Sequence, residues 1–114
     1  MLCSLHIVDD VAFVRVSDDI YLNNQEEFDS YLQQQICPVY SKIVLDVADV
    51  KNMCSAALGA IVKAHKRARE SGGEVVFIRV QKKVQTLLEI TRLTNVLKVL
   101  DDEPAAEEYL RSLR

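Results

Sequence analysis

The sequence predicts an α/β fold: a small, mostly parallel sheet with an antiparallel N-terminal edge strand and about four helices. Three observations carry this. Strand-length apolar runs alternate with single amphipathic helical stretches from residue 25 onward, as in chains that build right-handed parallel crossovers. Two of those runs, "KIVLDV" and "EVVFIRV", are almost continuously apolar, as strands buried on both faces are. The first two runs are separated only by Asp9-Asp10, which leaves room for a hairpin and no crossover.

Each element has its own justification. Residues 4–8 and 11–17 read as the opening strands. In the second, Val11, Phe13 and Arg15 alternate with Ala12, Val14 and Val16, so both faces carry apolar side chains. After "SDDIYL" a helix begins. Asn23 or Asn24 is placed to cap it, with Glu26 and Glu27 in its first turn and in reach of a capping box. Phe28, Tyr31, Leu32 and Ile36 follow at helical spacing, and Cys37-Pro38 stops the helix because a residue before proline avoids the α region. A buried strand is predicted over residues 42–48.

The next helix starts at Ser55, a residue type favoured as an N-cap. It carries Leu58, Ile61, Val62, His65 and Ala68 on one stripe, with Lys63, Lys66, Arg67 and Arg69 on the rest. Gly72 suits the left-handed position beyond its end. "EVVFIRV" is the next buried strand. "KKVQTLLEITRL" is a third helix with Val84, Leu87, Leu88 and Thr91 inward, "VLKVL" a last strand, and "DDEPAAEEYLRSLR" a final helix with acids and Pro104 in its first turn.

A chain of 114 residues fits one domain, 1–114, with enough burial for a core that needs neither metal nor disulfide. The apolar share of 49% and charged share of 27% match a soluble globular protein. A net charge of −3 argues against general nucleic-acid binding. The N-terminus lacks a basic stretch and its apolar run is broken by Asp9-Asp10, so no signal peptide is expected. No apolar run approaches the ~20 residues of a membrane span, and no direct membrane insertion is expected. Cys3, Cys37 and Cys54 are odd in number and scattered, which suits reduced thiols in a cytoplasmic protein.

The chemistry of most enzyme classes is missing. There is no glycine-rich dinucleotide or phosphate loop, no H-E-x-x-H and no G-x-S-x-G, so no cofactor, metal or catalytic residue is expected. The pairs Asp9/Asp10, Asp18/Asp19 and Asp101/Asp102 fall at element junctions and read as turn or cap residues. His65, on an apolar stripe, reads as a structural histidine.

What remains is the strand–loop–helix unit "IVLDVADVKNMCSAALGAIVKAHKRARESGGEVVFIRV". It resembles the STAS domain family, most closely the single-domain anti-sigma factor antagonists of bacterial partner-switching systems. Asp46 ends the strand, "CSAALG" stands where the family signature lies, "ESGGEVVFI" follows at the family's distance, and "LLEITRLTNVLKVLDDEPAA" resembles its last turn, strand and acidic helix entry. The resemblance covers essentially the whole chain. It implies a non-enzymatic regulator whose serine, Ser55, is phosphorylated by a serine kinase/anti-sigma factor of histidine-kinase-like ATPase fold and dephosphorylated by a PP2C-type phosphatase. It further implies a partner-binding face including Asp19, Tyr21, Asn23, Cys54, Ala56, Lys63 and Lys66.

The serine would present its hydroxyl at a helix N-terminus that tolerates a phosphate's added charge without refolding. Two positions depart from the family pattern: Cys54 and Tyr21 stand where acids usually flank the phosphosite. That difference is compatible with a divergent partner or with constitutive binding. Two other readings stay open at the level of sequence. One is a non-phosphorylated STAS accessory subunit of a membrane lipid-transport ATPase complex. The other makes Cys54 a reactive thiol, as redox sensor or nucleophile.

Overall fold

The computed structural model describes residues 2–113. A five-stranded sheet runs in the spatial order β1 (Cys3–Val8), β2 (Val11–Val16), β3 (Lys42–Asp46), β4 (Glu74–Ile78) and β5 (Lys98–Leu100). β1 pairs antiparallel with β2, and every later pairing is parallel. The hairpin turns at Asp9, whose φ of 56° places it in the left-handed region that aspartate tolerates.

Alternation along the strands divides the core. On one face Val14, Val16, Ile43, Leu45 and Phe77 meet three helices: α1 (Gln25–Ser30), α2 (Ser55–Glu70) and α3 (Lys82–Ile90). On the other, Val11, Phe13, Val44, Val76 and Ile78 meet Ala106 and Leu110 of α4 (Glu103–Arg111). β3 and β4 are thus buried on both sides, as their unbroken apolar runs require.

Several boundaries differ from the sequence expectation. β3 ends at Asp46, β4 at Ile78, and β5 begins only at Lys98. α1 does not form a capping box: Asn24 occupies its N-cap position without a side-chain cap bond, and Glu27 accepts the Leu2 N–H instead. Beyond Ser30 the helix widens into a π-helical segment, Tyr31–Ile36, which ends with the Cys37 N–H bonded to the Leu32 carbonyl five residues back. α3 stops at Ile90. Thr91 is exposed, not inward; its hydroxyl donates to the Leu87 carbonyl, and Arg92 at φ 61° turns the chain away. Asp102 caps α4 by accepting the Ala105 N–H at 3.0 Å.

The connection from α2 to β4 needs both its glycines. Gly72 has φ +85°, and a Cβ on Gly73 would lie 1.8 Å from the Ser41 carbonyl oxygen. His65 is buried, and its Nδ1 accepts the Val75 N–H at 3.2 Å, at a point where β5 has not yet begun to pair with β4. Its role is structural.

Candidate functional site

Two loops, residues 17–24 after β2 and 47–54 after β3, meet at the carboxyl end of the parallel strands, where open α/β sheets hold their ligands. They are stitched together through the backbone. Ile20 donates to the Asn52 carbonyl at 3.1 Å, and Cys54 donates to the Ile20 carbonyl at 2.9 Å.

Asp19 completes the stitch. One carboxylate oxygen accepts the Lys51 and Asn52 N–H groups at 2.6 and 3.0 Å; the other accepts the Asn52 amide at 3.1 Å and the Tyr21 hydroxyl at 3.2 Å. Asn24 braces the same loop, accepting the Tyr21 N–H and donating to the Asp19 carbonyl. Burial alone would raise the Asp19 pKa. The donors from Asn52, Lys51 and Tyr21 outweigh it and hold the carboxyl below its usual value. The Tyr21 phenol moves the opposite way, raised first by its bond to Asp19.

Behind this pair of loops sits Asp46, buried at the end of β3. It accepts the Arg79 guanidinium at 2.9 Å and the Ala48 N–H at 3.1 Å. Gln81 donates to the Ala48 carbonyl at 2.6 Å, so the start of the 47–54 loop is fixed from both sides.

Ser55 lies on the rim of this rigid base. It is the first residue of α2, one position inside the helix; the N-cap is Cys54, in extended conformation and without a side-chain cap bond. Capping therefore does not explain the serine. Ser55 and Ala56 are exposed, while Ala57 and Leu58 turn into the core. Cys54 is half-buried, and its carbonyl accepts the Ala57 and Leu58 N–H groups. Cys3 is buried, and Cys37, like Cys54, is half-buried. Burial, followed by the charge of Glu27, pushes Cys3 up to about 12, and burial also raises Cys37.

Beside Cys54 opens a groove of about 490 Å³. Met53, Val84 and Leu87 contribute its apolar surface, with Tyr21 and Ile90 at 50% and 74% exposure, and Lys51 and Lys83 supply charge. None of the lining residues is acidic. Sequence reasoning missed Lys51 and Lys83. The usable signal was topological: "VKNM" and "QKKV" follow β3 and β4 at their carboxyl ends, which parallel pairing brings together.

The residues expected on the partner-binding face are distributed unevenly. Tyr21 and Cys54 line the groove, Asp19 is bonded to the Tyr21 hydroxyl, Ala56 follows Ser55 in α2, and Asn23 is exposed on the same loop as Tyr21. Lys63 and Lys66 lie farther along α2 and do not line the groove. Lys63 pairs with Asp29 of α1 at 3.4 Å, and Arg67 donates to the Gln33 carbonyl of the π-helical segment at 2.8 Å, so the two tie α1 and its extension to α2. Lys66 is exposed, about 16 Å along the helix from Ser55.

The STAS domain profile matches residues 3–106. The chain belongs to the STAS domain family. Among its relatives is a Thermotoga maritima protein provisionally named an anti-sigma factor antagonist, 30% identical over 106 residues covering 92% of this chain and 94% of the relative. An anti-sigma F factor antagonist of Paenibacillus polymyxa is 27% identical over 97 residues, covering 82% of this chain and 80% of the relative. A Thermotoga maritima crystal structure bearing the same provisional name superposes with a TM-score of 0.90 at 29% identity, covering 96% of this chain and 94% of that one. The five-stranded mixed sheet and its four helices are thus the STAS fold. Among the described residues no helix of this STAS domain is long and apolar enough to cross a membrane, and no cluster of His, Cys, Asp and Glu could hold a metal ion.

Proposed function

We propose that this STAS protein is a cytoplasmic anti-sigma factor antagonist. It binds a serine kinase/anti-sigma factor through the carboxyl end of its sheet and is released when Ser55 is phosphorylated. A PP2C-type phosphatase restores the binding form. The protein itself catalyses nothing.

The observation that supports this reading is the exposure of Ser55 on a base that does not depend on it. The loops beneath are held by Asp19, Asn24 and Asp46, none of which uses the Ser55 hydroxyl. A phosphate adds about −1.5 to −2 charges, and at the first position of a helix it meets free N–H groups and the positive end of the dipole. The scaffold tolerates it, so the change falls on whoever docks there. The name of one relative, an anti-sigma F factor antagonist, supports the same reading.

The test is incubation of the full chain with ATP and a histidine-kinase-like serine kinase from the same organism. The expected result is one phosphate on Ser55 by mass spectrometry, with loss of the complex in a pull-down. A chain that forms the complex and acquires no phosphate on Ser55 overturns the phosphoswitch.

A further inference from the structure

Among the described residues, Lys51, Lys66, Lys82, Lys83 and Arg92 are the cations whose side chains make no ion pair, hydrogen bond or ring contact. Three of them meet in one place. Lys51 and Lys83 line the groove beside Cys54, and Lys51, Lys82 and Lys83 line the adjoining hollow of about 220 Å³. Asp19 of the facing loop, bonded to the Lys51 N–H and the Tyr21 hydroxyl, places one negative charge beside the three lysines. On a chain of net charge −3 the patch nevertheless stays locally positive, because none of the residues lining the groove is acidic.

The same groove is apolar. Met53, Val84 and Leu87 lie within it, Tyr21 and Ile90 stand half to three-quarters exposed, and Leu22, at 80% exposure, is next to Tyr21. Met53 and Val84 are already buried beneath the groove, whereas leaving Tyr21, Ile90 and Leu22 in water is unfavourable.

We infer that this groove is the dock for an acidic amphipathic segment of a partner protein. Its apolar side chains fill the space between Tyr21, Leu87 and Ile90, and its carboxylates meet Lys51, Lys82 and Lys83. A long polyanion such as nucleic acid fits poorly, because it would run off this patch onto a negatively charged chain.

Resting on the proposed phosphorylation, the dock also explains how the switch acts at a distance of one residue. Ser55 follows Cys54, which lines the groove. A dianion there lies within about one Debye length, 8 to 10 Å, of the groove wall and cancels most of the field of the three lysines. Release would then need no conformational change.

The probe is a synthetic helical peptide of Leu and Glu with one apolar face, and its counterpart with every Glu replaced by Lys. Each is titrated into the full ¹⁵N-labelled chain. The expected result is that the acidic peptide shifts the amides of Tyr21, Met53, Leu87 and Ile90 and weakens with salt, whereas the lysine peptide does not. The double variant Lys51→Glu/Lys83→Glu, with its melting temperature unchanged, should lose at least about tenfold in affinity. Shifts confined to another surface, equal binding of the two peptides, or an unaltered double variant would overturn the dock. Ser55→Glu should weaken the acidic peptide several-fold. If it does not, while the peptide still occupies the groove, the dock stands and control by Ser55 falls.

Discussion

The two ends of the parallel sheet spend their polar groups differently. At the amino end, Glu74 is buried and accepts the Tyr109 hydroxyl at 2.9 Å and an Arg69 ion pair at 3.4 Å; His65 accepts a β4 amide; Gly73 lies flat against Ser41. At the carboxyl end, Asp19 and Asp46 take backbone N–H groups, and the side chains that reach the surface, Ser55, Lys51 and Lys83, are left uncommitted. Both ends use side chains to hold side chains and main chain, but at the amino end the polar groups close on one another, whereas at the carboxyl end the clamped loops leave Ser55, Lys51 and Lys83 for an outside partner. Substitutions should therefore separate: amino-end changes cost stability, and carboxyl-end changes increasingly cost binding.

The largest effect is expected at Gly73. A methyl group there must displace the Ser41 backbone, and Gly73→Ala should destabilise by about 3 kcal/mol in urea unfolding. The groove lies at the opposite end, so whatever folded protein remains should bind as before. A loss of affinity larger than the loss of folded fraction would show that the two ends are coupled.

Asp19 comes next. Asp19→Ala removes the acceptor for four donors and should cost about 2 to 3 kcal/mol. It should also loosen the loop that carries Tyr21, and so weaken docking as well as stability. Because the folded carboxyl titrates below the usual 3.8, its contribution is complete above that value and is lost as the pH falls through the lower folded pKa. Acid titration of the wild type against Asp19→Asn measures it. Identical profiles below pH 4 would show that the carboxylate charge contributes nothing to the clamp.

How much of this contrast the sequence reveals depends on the distance over which each signal acts. The order of strands and helices is legible because apolar period is local, and Ser55 is legible because it opens an amphipathic stretch and "CSAALG" stands where the STAS signature lies. Asp19 looks like a turn residue beside Asp18, since nothing nearby in the chain announces that Lys51 and Asn52 will donate to it. Lys63 and Arg67 show the converse: a cation on a helix's polar face looks free in the sequence until Asp29 and Gln33, from the helical segments before β3, are brought to it. The end of α1 also escapes prediction: Cys37, expected to leave the α region before Pro38, keeps φ −60° and ψ −33° at the end of a π-helical turn that buries Leu32 and Ile36.

His65 gives a smaller, pH-dependent effect at the amino end. Burial first of all holds its pKa below the usual 6.5, and only the neutral ring accepts the Val75 N–H. Its contribution is thus present above pH 6.5 and is lost as the pH falls from there through the folded pKa. His65→Leu should cost about 1 to 2 kcal/mol at pH 7.5, by leaving that amide without an acceptor, and the deficit should shrink on acidification. A deficit constant from pH 7.5 to pH 5 would mean that the ring acts through packing alone.

Ser55 marks the other limit, where stability and binding come fully apart. Its side chain is exposed at the first position of α2, with no cap bond to lose, so Ser55→Ala should change stability by less than about 0.5 kcal/mol. Ser55→Glu should be neutral or slightly stabilising, because a carboxylate at a helix N-terminus contributes about 0.3 to 1 kcal/mol. The same two variants should differ in binding: alanine retains the partner and cannot be switched, whereas glutamate carries one negative charge and reproduces part of the release. Melting curves alongside affinities decide it. A Ser55→Glu protein that melts several degrees lower would show that the hydroxyl supports the fold, and its weakened binding could no longer be assigned to charge at the rim.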